Sequence, residues 1–182
     1  RGNTVSNMSS TRALRDLSHL YGVEYAAAAV GEVNVVQKMK EVGAVIGGEG
    51  NGGVIFPELH YGRDALVGIA LFLSYMAKSG KSCSEIRKQY TPYFISKNKI
   101  SLTPEMKVSD ILDYVSEKYK GETISRIDGV KIDFEQSWVH LRSSNTEPII
   151  RIYAEAKSME AAEALAEQLQ GDLQAFLEKN KQ

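Results

Sequence analysis

The sequence predicts an α/β domain with a short mixed sheet and helices. A smaller α+β domain follows, whose antiparallel sheet has about four strands with helices on one face. Three observations carry this fold class. Residues 1–90 alternate short apolar runs with segments of helical period, the pattern of an α/β unit. Residues 98–182 hold one helix, then a succession of β-like runs, then a closing helix, which is the order of an α+β unit. Between them, over roughly residues 88–98, the pattern breaks around Pro92, where a linker is expected. With 182 residues, 43% of them hydrophobic, the chain can fill two small cores.

The elements follow in order. SSTRALRDLSHLYG predicts a helix, with Leu14, Leu17 and Leu20 recurring at threes and Gly22 as terminator. VEYAAAAV, residues 23–30, has the length of a buried strand. VNVVQKMKEV, residues 33–42, returns to helical spacing through Val36 and Met39. AVIGG, residues 44–48, and VIF, residues 54–56, are short strands on either side of a glycine-rich loop. RDALVGIALFLSYMAKSG is the strongest helix: Leu66, Ile69, Ala70, Leu73 and Ala77 share a face, Asp64 suits an N-cap and Gly80 ends it. SEIRKQY predicts a short second helix. Beyond the linker, VSDILDYVSEKY is helical through Val108, Ile111, Leu112 and Val115. The runs TISRI, VKIDF, SWVHLRS and PIIRIYAEA are strands, and Asp128-Gly129 marks a hairpin between the first two. The closing segment is a helix with its stripe on Ala162, Leu165, Leu169, Leu173 and Phe176; Gly171 within it costs about 1 kcal/mol against alanine.

Composition excludes several classes. The formal net charge is −1, so no global basic field invites nucleic acid and any recognition of charge is local. Cys83 is the only cysteine, which rules out an internal disulfide and a thiolate metal site and points to a reducing, cytoplasmic setting. No apolar run reaches the roughly 18 residues that a membrane helix needs. The chain opens at Arg1 without an initiator methionine and reads as a fragment or a trimmed product. His19, His60 and His140 lack metal-ligand spacing and read as structural or surface residues.

Two stretches carry chemistry. RSSNTEPIIR, residues 142–151, sets Arg142, Ser144, Asn145 and Thr146 in a turn between strands, with Arg151 on the strand beyond. Hydroxyls, amide and turn N–H groups can converge on an anion, and a guanidinium fork matches phosphate. Strand alternation puts Arg151 on a face with Tyr153 and Glu155, opposite Ile150, Ile152 and Ala154. A polar hairpin turn with two surface arginines explains the same residues. GGEGNGG, residues 47–53, holds five glycines in seven residues and shows only Glu49 and Asn51 as side chains. A carboxylate and an amide on such a loop suit sugar hydroxyls, though for the loop taken alone a flexible turn is the favoured explanation of the glycines.

Together these stretches resemble the α-D-phosphohexomutases. RSSNTEPIIRIYAEA is similar to the phosphate-binding loop of that family's last domain, R-x-S-G/N-T-E-P followed by arginine. GGEGNGGVI is similar to the G-E-x-S-G sugar loop of its third domain. SSTRAL, VGEVNVVQKM and RDAL fall in the family's order, so the resemblance covers nearly the whole chain. It implies domain three over residues 1–90 and domain four over 98–182. The intact protein is then expected to interconvert hexose 1- and 6-phosphates through a phosphoserine and a sugar bisphosphate. Mg²⁺ is expected on a domain absent here, and the missing domains one and two are expected partners alongside hexose phosphate and bisphosphate. No catalytic or metal residue is expected in this chain, which has neither a serine-histidine-asparagine stretch nor Asp-Gly-Asp, and the chain alone is expected to be inactive. The resemblance assigns Arg142, Ser144, Asn145, Thr146 and Arg151 to phosphate, and Glu49 and Asn51 to the sugar's 3- and 4-hydroxyls. Asn51 stands where many members have serine, Gly53 where many have histidine, and Glu32 where some have histidine, which leaves the hexose open. The alternatives are a phosphoglucosamine mutase of the same family and a non-catalytic sugar-phosphate-binding module.

Overall fold

The computed structural model describes residues 1–103, 106–144 and 146–179. The chain forms two compact units, Arg1–Pro92 and Tyr93–Gln182. The first is built on a five-stranded mixed sheet. Its strands are β1 (Thr4–Asn7), β2 (Tyr25–Ala28), β3 (Ile46–Glu49), β4 (Gly53–Phe56) and β5 (His60–Arg63). Spatial order is β2-β1-β3-β4-β5; β1 runs parallel to β2 and β3, and β3, β4 and β5 pair antiparallel. Helix α2 (Glu32–Val42) covers one face, where Val35 and Met39 meet Val5, Ala28 and Ile55 in the core. On the other face Ser18 of α1 (Ala13–Leu20) bonds Thr4 of β1 at 2.7 Å. There too Val54 of β4 closes on Gly68 of α3 (Ala65–Ser79). Asp64 caps α3 by accepting the Val67 N–H at 3.0 Å, as expected, and Gly80 closes it with φ 65°. A capping box on Ser82 and Glu85 opens the short α4 (Cys83–Arg87).

Two strands of this sheet differ from the sequence reading. β1, TVSN, carries one apolar residue yet is wholly buried. Its polar side chains are satisfied laterally: Thr4 by Ser18, Ser6 by the Tyr25 hydroxyl at 2.9 Å, and Asn7 by Glu49. Such a strand has no hydrophobic signal. β5, HYGR, has no strand pattern in its sequence; it is largely exposed and held by edge pairing with β4. The shared face of α3 also departs from a core role, since Leu66 is 78% exposed, Ile69 54% and Leu73 55%.

The second unit is a five-stranded antiparallel sheet, one strand more than expected. The addition is β6 (Phe94–Ser101), which starts inside the expected linker and pairs along its length with β10 (Ile149–Ala156). The remaining strands are β7 (Thr123–Ser125), β8 (Val130–Asp133) and β9 (Trp138–Ser143), in spatial order β6-β10-β9-β8-β7. Helices α5 (Val108–Lys118) and α6 (Met159–Lys179) pack on one face. The core gathers Ile111 and Val115 of α5, and Ala166, Leu169 and Leu173 of α6. Against these lie Val130, Ile132, Val139, Leu141, Ile150, Ile152 and Ala154 of the strands. Helix α6 runs unbroken through Gly171, because this long apolar stripe outweighs one poor helix former.

The Asp128-Gly129 signal holds: Gly129 lies between β7 and β8 with φ 70°, and a Cβ there would run into the Leu141 carbonyl oxygen. Gly129→Ala is expected to cost more than about 1 kcal/mol, read as a lowered urea midpoint at constant m-value. His140 is 1% exposed, on the sheet face away from the helices, and its Nε2–H donates to the Asp128 carbonyl at 2.6 Å. Burial pushes the imidazole pKa below its usual 6.5. The unfolded chain therefore takes up this proton first as pH falls. Stability is expected to be complete above pH 6.5 and to decline as pH falls through the lower folded value. Urea titrations across this range check it, and His140→Gln is expected to flatten that part of the profile.

Candidate functional site

In the second unit, strand register brings the predicted cations together. Arg151 of β10 lies directly opposite Arg142 of β9, and Lys99 of β6 lies opposite Arg151 on its other side. The isoleucines next to them, Ile150, Ile152 and Ile100, pack on the helix side, so the three cations share the opposite face. Like charges facing one another across strands repel, and the protein offsets them with two carboxylates. Arg151 Nη2 donates to Glu147 at 3.2 Å, and Arg142 Nε lies 3.8 Å from Asp128. That Arg142 Nε is buried and makes no hydrogen bond among the described residues. Lys99 is exposed and carries no ion pair among them.

The turn at the end of β9 supplies hydroxyls. Ser144 N–H donates to the Ile149 carbonyl at 3.0 Å, fixing the turn's base. Ser144 Oγ accepts the Thr146 N–H at 3.3 Å and lies 3.3 Å from Thr146 Oγ1. Asn145, predicted between them, lies outside the described residues. The arrangement has an excess of donors and positive charge over acceptors, which suits an oxyanion.

In the first unit, the loop between β3 and β4 holds Glu49 and Asn51. The glycines serve turn geometry: Gly52, with φ 92°, donates its N–H to the Glu49 carbonyl at 3.1 Å. Asn51 Oδ1 accepts the Gly53 N–H at 3.2 Å, while its amide nitrogen makes no hydrogen bond among the described residues. Glu49 is not the open side chain the loop suggests, because its side chain is only 4% exposed. Oε1 accepts from Asn7 Nδ2 at 2.9 Å and from the Gly31 N–H at 3.0 Å, and Oε2 accepts from Arg63 Nη1 at 3.4 Å. Arg63 in turn gives its Nε–H to Glu32 at 2.8 Å and its backbone N–H to the same carboxylate at 3.0 Å. These bonds, the backbone one first, hold the Glu32 carboxyl below its usual pKa. A cavity of about 240 Å³ beside the loop is lined mainly by apolar atoms, from Leu14, Ile46, Val54 and the loop glycines among others. Glu49 itself is a preorganised acceptor, held by three donors.

Sequence reading missed Asn7, Arg63 and Lys99. Lys99 had a signal in the alternating lysines of SKNKIS. Asn7 had none, because its strand lacks apolar alternation; Arg63 stood in the RDAL stretch but read as the start of a helix, not as the end of a strand. Among the described residues no cluster of three or more His, Cys, Asp or Glu could hold a metal ion. No helix among them is long and apolar enough to cross a membrane.

Comparison with known families decides where this arrangement belongs. The profile described as phosphoglucomutase/phosphomannomutase, alpha/beta/alpha domain III, matches residues 1–93. The profile for the C-terminal domain of the same family matches residues 99–171. The chain belongs to the phosphoglucomutase/phosphomannomutase family.

Individual members agree. A phosphoglucomutase/phosphomannomutase of Thermococcus kodakarensis is 39% identical over 88% of this chain and 35% of its own length. A phosphoglucosamine/phosphogalactosamine mutase of Sulfurisphaera tokodaii is 34% identical over 91% of this chain and 37% of its own. The fold matches a crystal structure of a phosphoglucomutase/phosphomannomutase family protein from Burkholderia thailandensis. That match has a TM-score of 0.77 at 24% identity, over 95% of this chain and 37% of that one. The chain therefore spans little more than a third of the family members it matches.

Proposed function

We propose that this chain is the substrate-gripping part of a hexose-phosphate mutase of the phosphoglucomutase/phosphomannomutase type. Arg142, Ser144, Asn145, Thr146 and Arg151 hold the phosphate that is not reacting, and Glu49 and Asn51 hold the sugar. The observation that carries this reading is the row Lys99–Arg151–Arg142 beside the Ser144–Thr146 hydroxyls. Three adjacent cations and one unbonded buried guanidinium N–H make a site that an oxyanion stabilises. Phosphoryl transfer is governed by positioning and charge stabilisation, and this chain contributes the positioning. The phosphoserine and the Mg²⁺ of the proposed reaction belong to domains outside it.

The test is to assay the longer protein that carries this chain against glucose, mannose, glucosamine and N-acetylglucosamine 1-phosphates side by side. Conversion of at least one to its 6-phosphate is expected, and none by this chain alone. Failure on all four supports a non-catalytic sugar-phosphate-binding module instead. An amino sugar is the second reading. Glu32 and Glu49 outnumber Arg63 by one charge, which admits an ammonium-bearing sugar as readily as a neutral one.

A further inference from the structure

Arg63 joins two carboxylates that lie on different elements. Glu49 ends β3, Glu32 opens α2, and Arg63 ends β5 between them. Hydrogen-bond capacity limits what each group can still do. A carboxylate oxygen accepts about two hydrogen bonds. Glu49 Oε1 already accepts two, from Asn7 and Gly31, whereas Oε2 accepts only one, from Arg63. Glu49 therefore has room for one more strong donor, on Oε2. Arginine has five N–H donors in a planar fork. Nε–H goes to Glu32 and one Nη1–H to Glu49, and the rest of the guanidinium has no partner among the described residues. The side chain is 45% exposed, so those donors are accessible.

We infer that Arg63 is a sugar-contacting residue of this site, paired with Glu49 to read two neighbouring ring hydroxyls. One hydroxyl donates to Glu49 Oε2, and the oxygen of the next accepts from the Arg63 guanidinium. An acceptor and a donor held side by side match a vicinal diol, which one carboxylate with a single open position does not. Charge selects the ligand group: the trio Glu32, Arg63 and Glu49 carries a net negative charge, which disfavours a phosphate here and suits hydroxyls. Glu32 is a positioning residue: it accepts the Arg63 Nε–H, which aims the fork, and the Arg63 backbone N–H, which fixes the end of β5. This inference rests on the hexose-phosphate reading.

The experiment measures binding of glucose 1-phosphate and of inorganic phosphate to this chain and its variants by titration. The wild-type chain is expected to bind glucose 1-phosphate at least about 5-fold more tightly than inorganic phosphate, the difference being the sugar contribution. Arg63→Met is expected to remove most of that difference and to leave inorganic phosphate affinity within about twofold. Arg63→Lys guards against a folding defect, because it keeps the charge beside Glu32 and Glu49 but loses the fork, and it is expected to lose the sugar contribution too. Retention of the sugar contribution in both variants overturns the inference. Loss of phosphate and sugar binding together in both variants overturns it as well, by showing a structural role. If the wild-type chain shows no preference for the sugar phosphate, the hexose-phosphate reading fails, and this inference with it.

Discussion

Arg142→Ala is expected to weaken sugar-phosphate binding, and turnover of the longer protein, by at least about 10-fold, or roughly 1.4 kcal/mol. The effect follows from where the guanidinium sits. Its side chain is only 19% exposed, it faces Arg151 across the strand pair, and its Nε makes no hydrogen bond among the described residues. A bound oxyanion would give that N–H a charged acceptor and relieve the repulsion between the arginines. The free protein depends instead on Asp128, at 3.8 Å, and Glu147, on Arg151. Alanine removes both the repulsion and the donor, so stability is expected to change little while affinity falls. Isothermal titration with glucose 1-phosphate beside a urea melt separates the two effects. Affinity within twofold of wild type would mean that the turn is a plain hairpin.

Glu49→Ala has the opposite balance, with function and stability both affected. Its carboxylate satisfies Asn7 Nδ2, the Gly31 N–H and one N–H of Arg63. Deleting it leaves donors unmatched in a site where the side chain is 4% exposed, which costs about 1–3 kcal/mol. The proposed sugar contact is lost as well, so sugar-phosphate affinity is expected to fall by at least about 10-fold. Glu49→Gln keeps the shape but sets an amide NH₂ against donors on one side or the other. It is expected to retain part of the stability and little of the sugar affinity. Urea midpoints and titrations on the same preparations check both.

The parts of the fold with a periodic apolar signal were legible in the sequence. Ile150, Ile152 and Ala154 alternate against Arg151, Tyr153 and Glu155, and the structure places the first three in the helix-covered core. The turn between β9 and β10 was legible for the same reason, because both flanking strands were. β1 was not, since Thr4, Ser6 and Asn7 are buried through side-chain hydrogen bonds and not through apolarity. With β1 hidden, Asn7 could not be seen as a partner of Glu49, 42 residues away in sequence. Arg63 was hidden alike on β5, whose residues show no strand pattern. The glycine loop therefore suggested an open carboxylate, where the structure has one held from three sides.

The claim that the turn between β9 and β10 holds an oxyanion is tested most directly by following backbone amide shifts of this chain during titration with inorganic phosphate. Saturating shifts of Ser144 and Thr146 are the expected result, with affinity at least about 10-fold weaker in Arg142→Ala. A turn whose amides do not respond, or respond equally in Arg142→Ala, would contradict it.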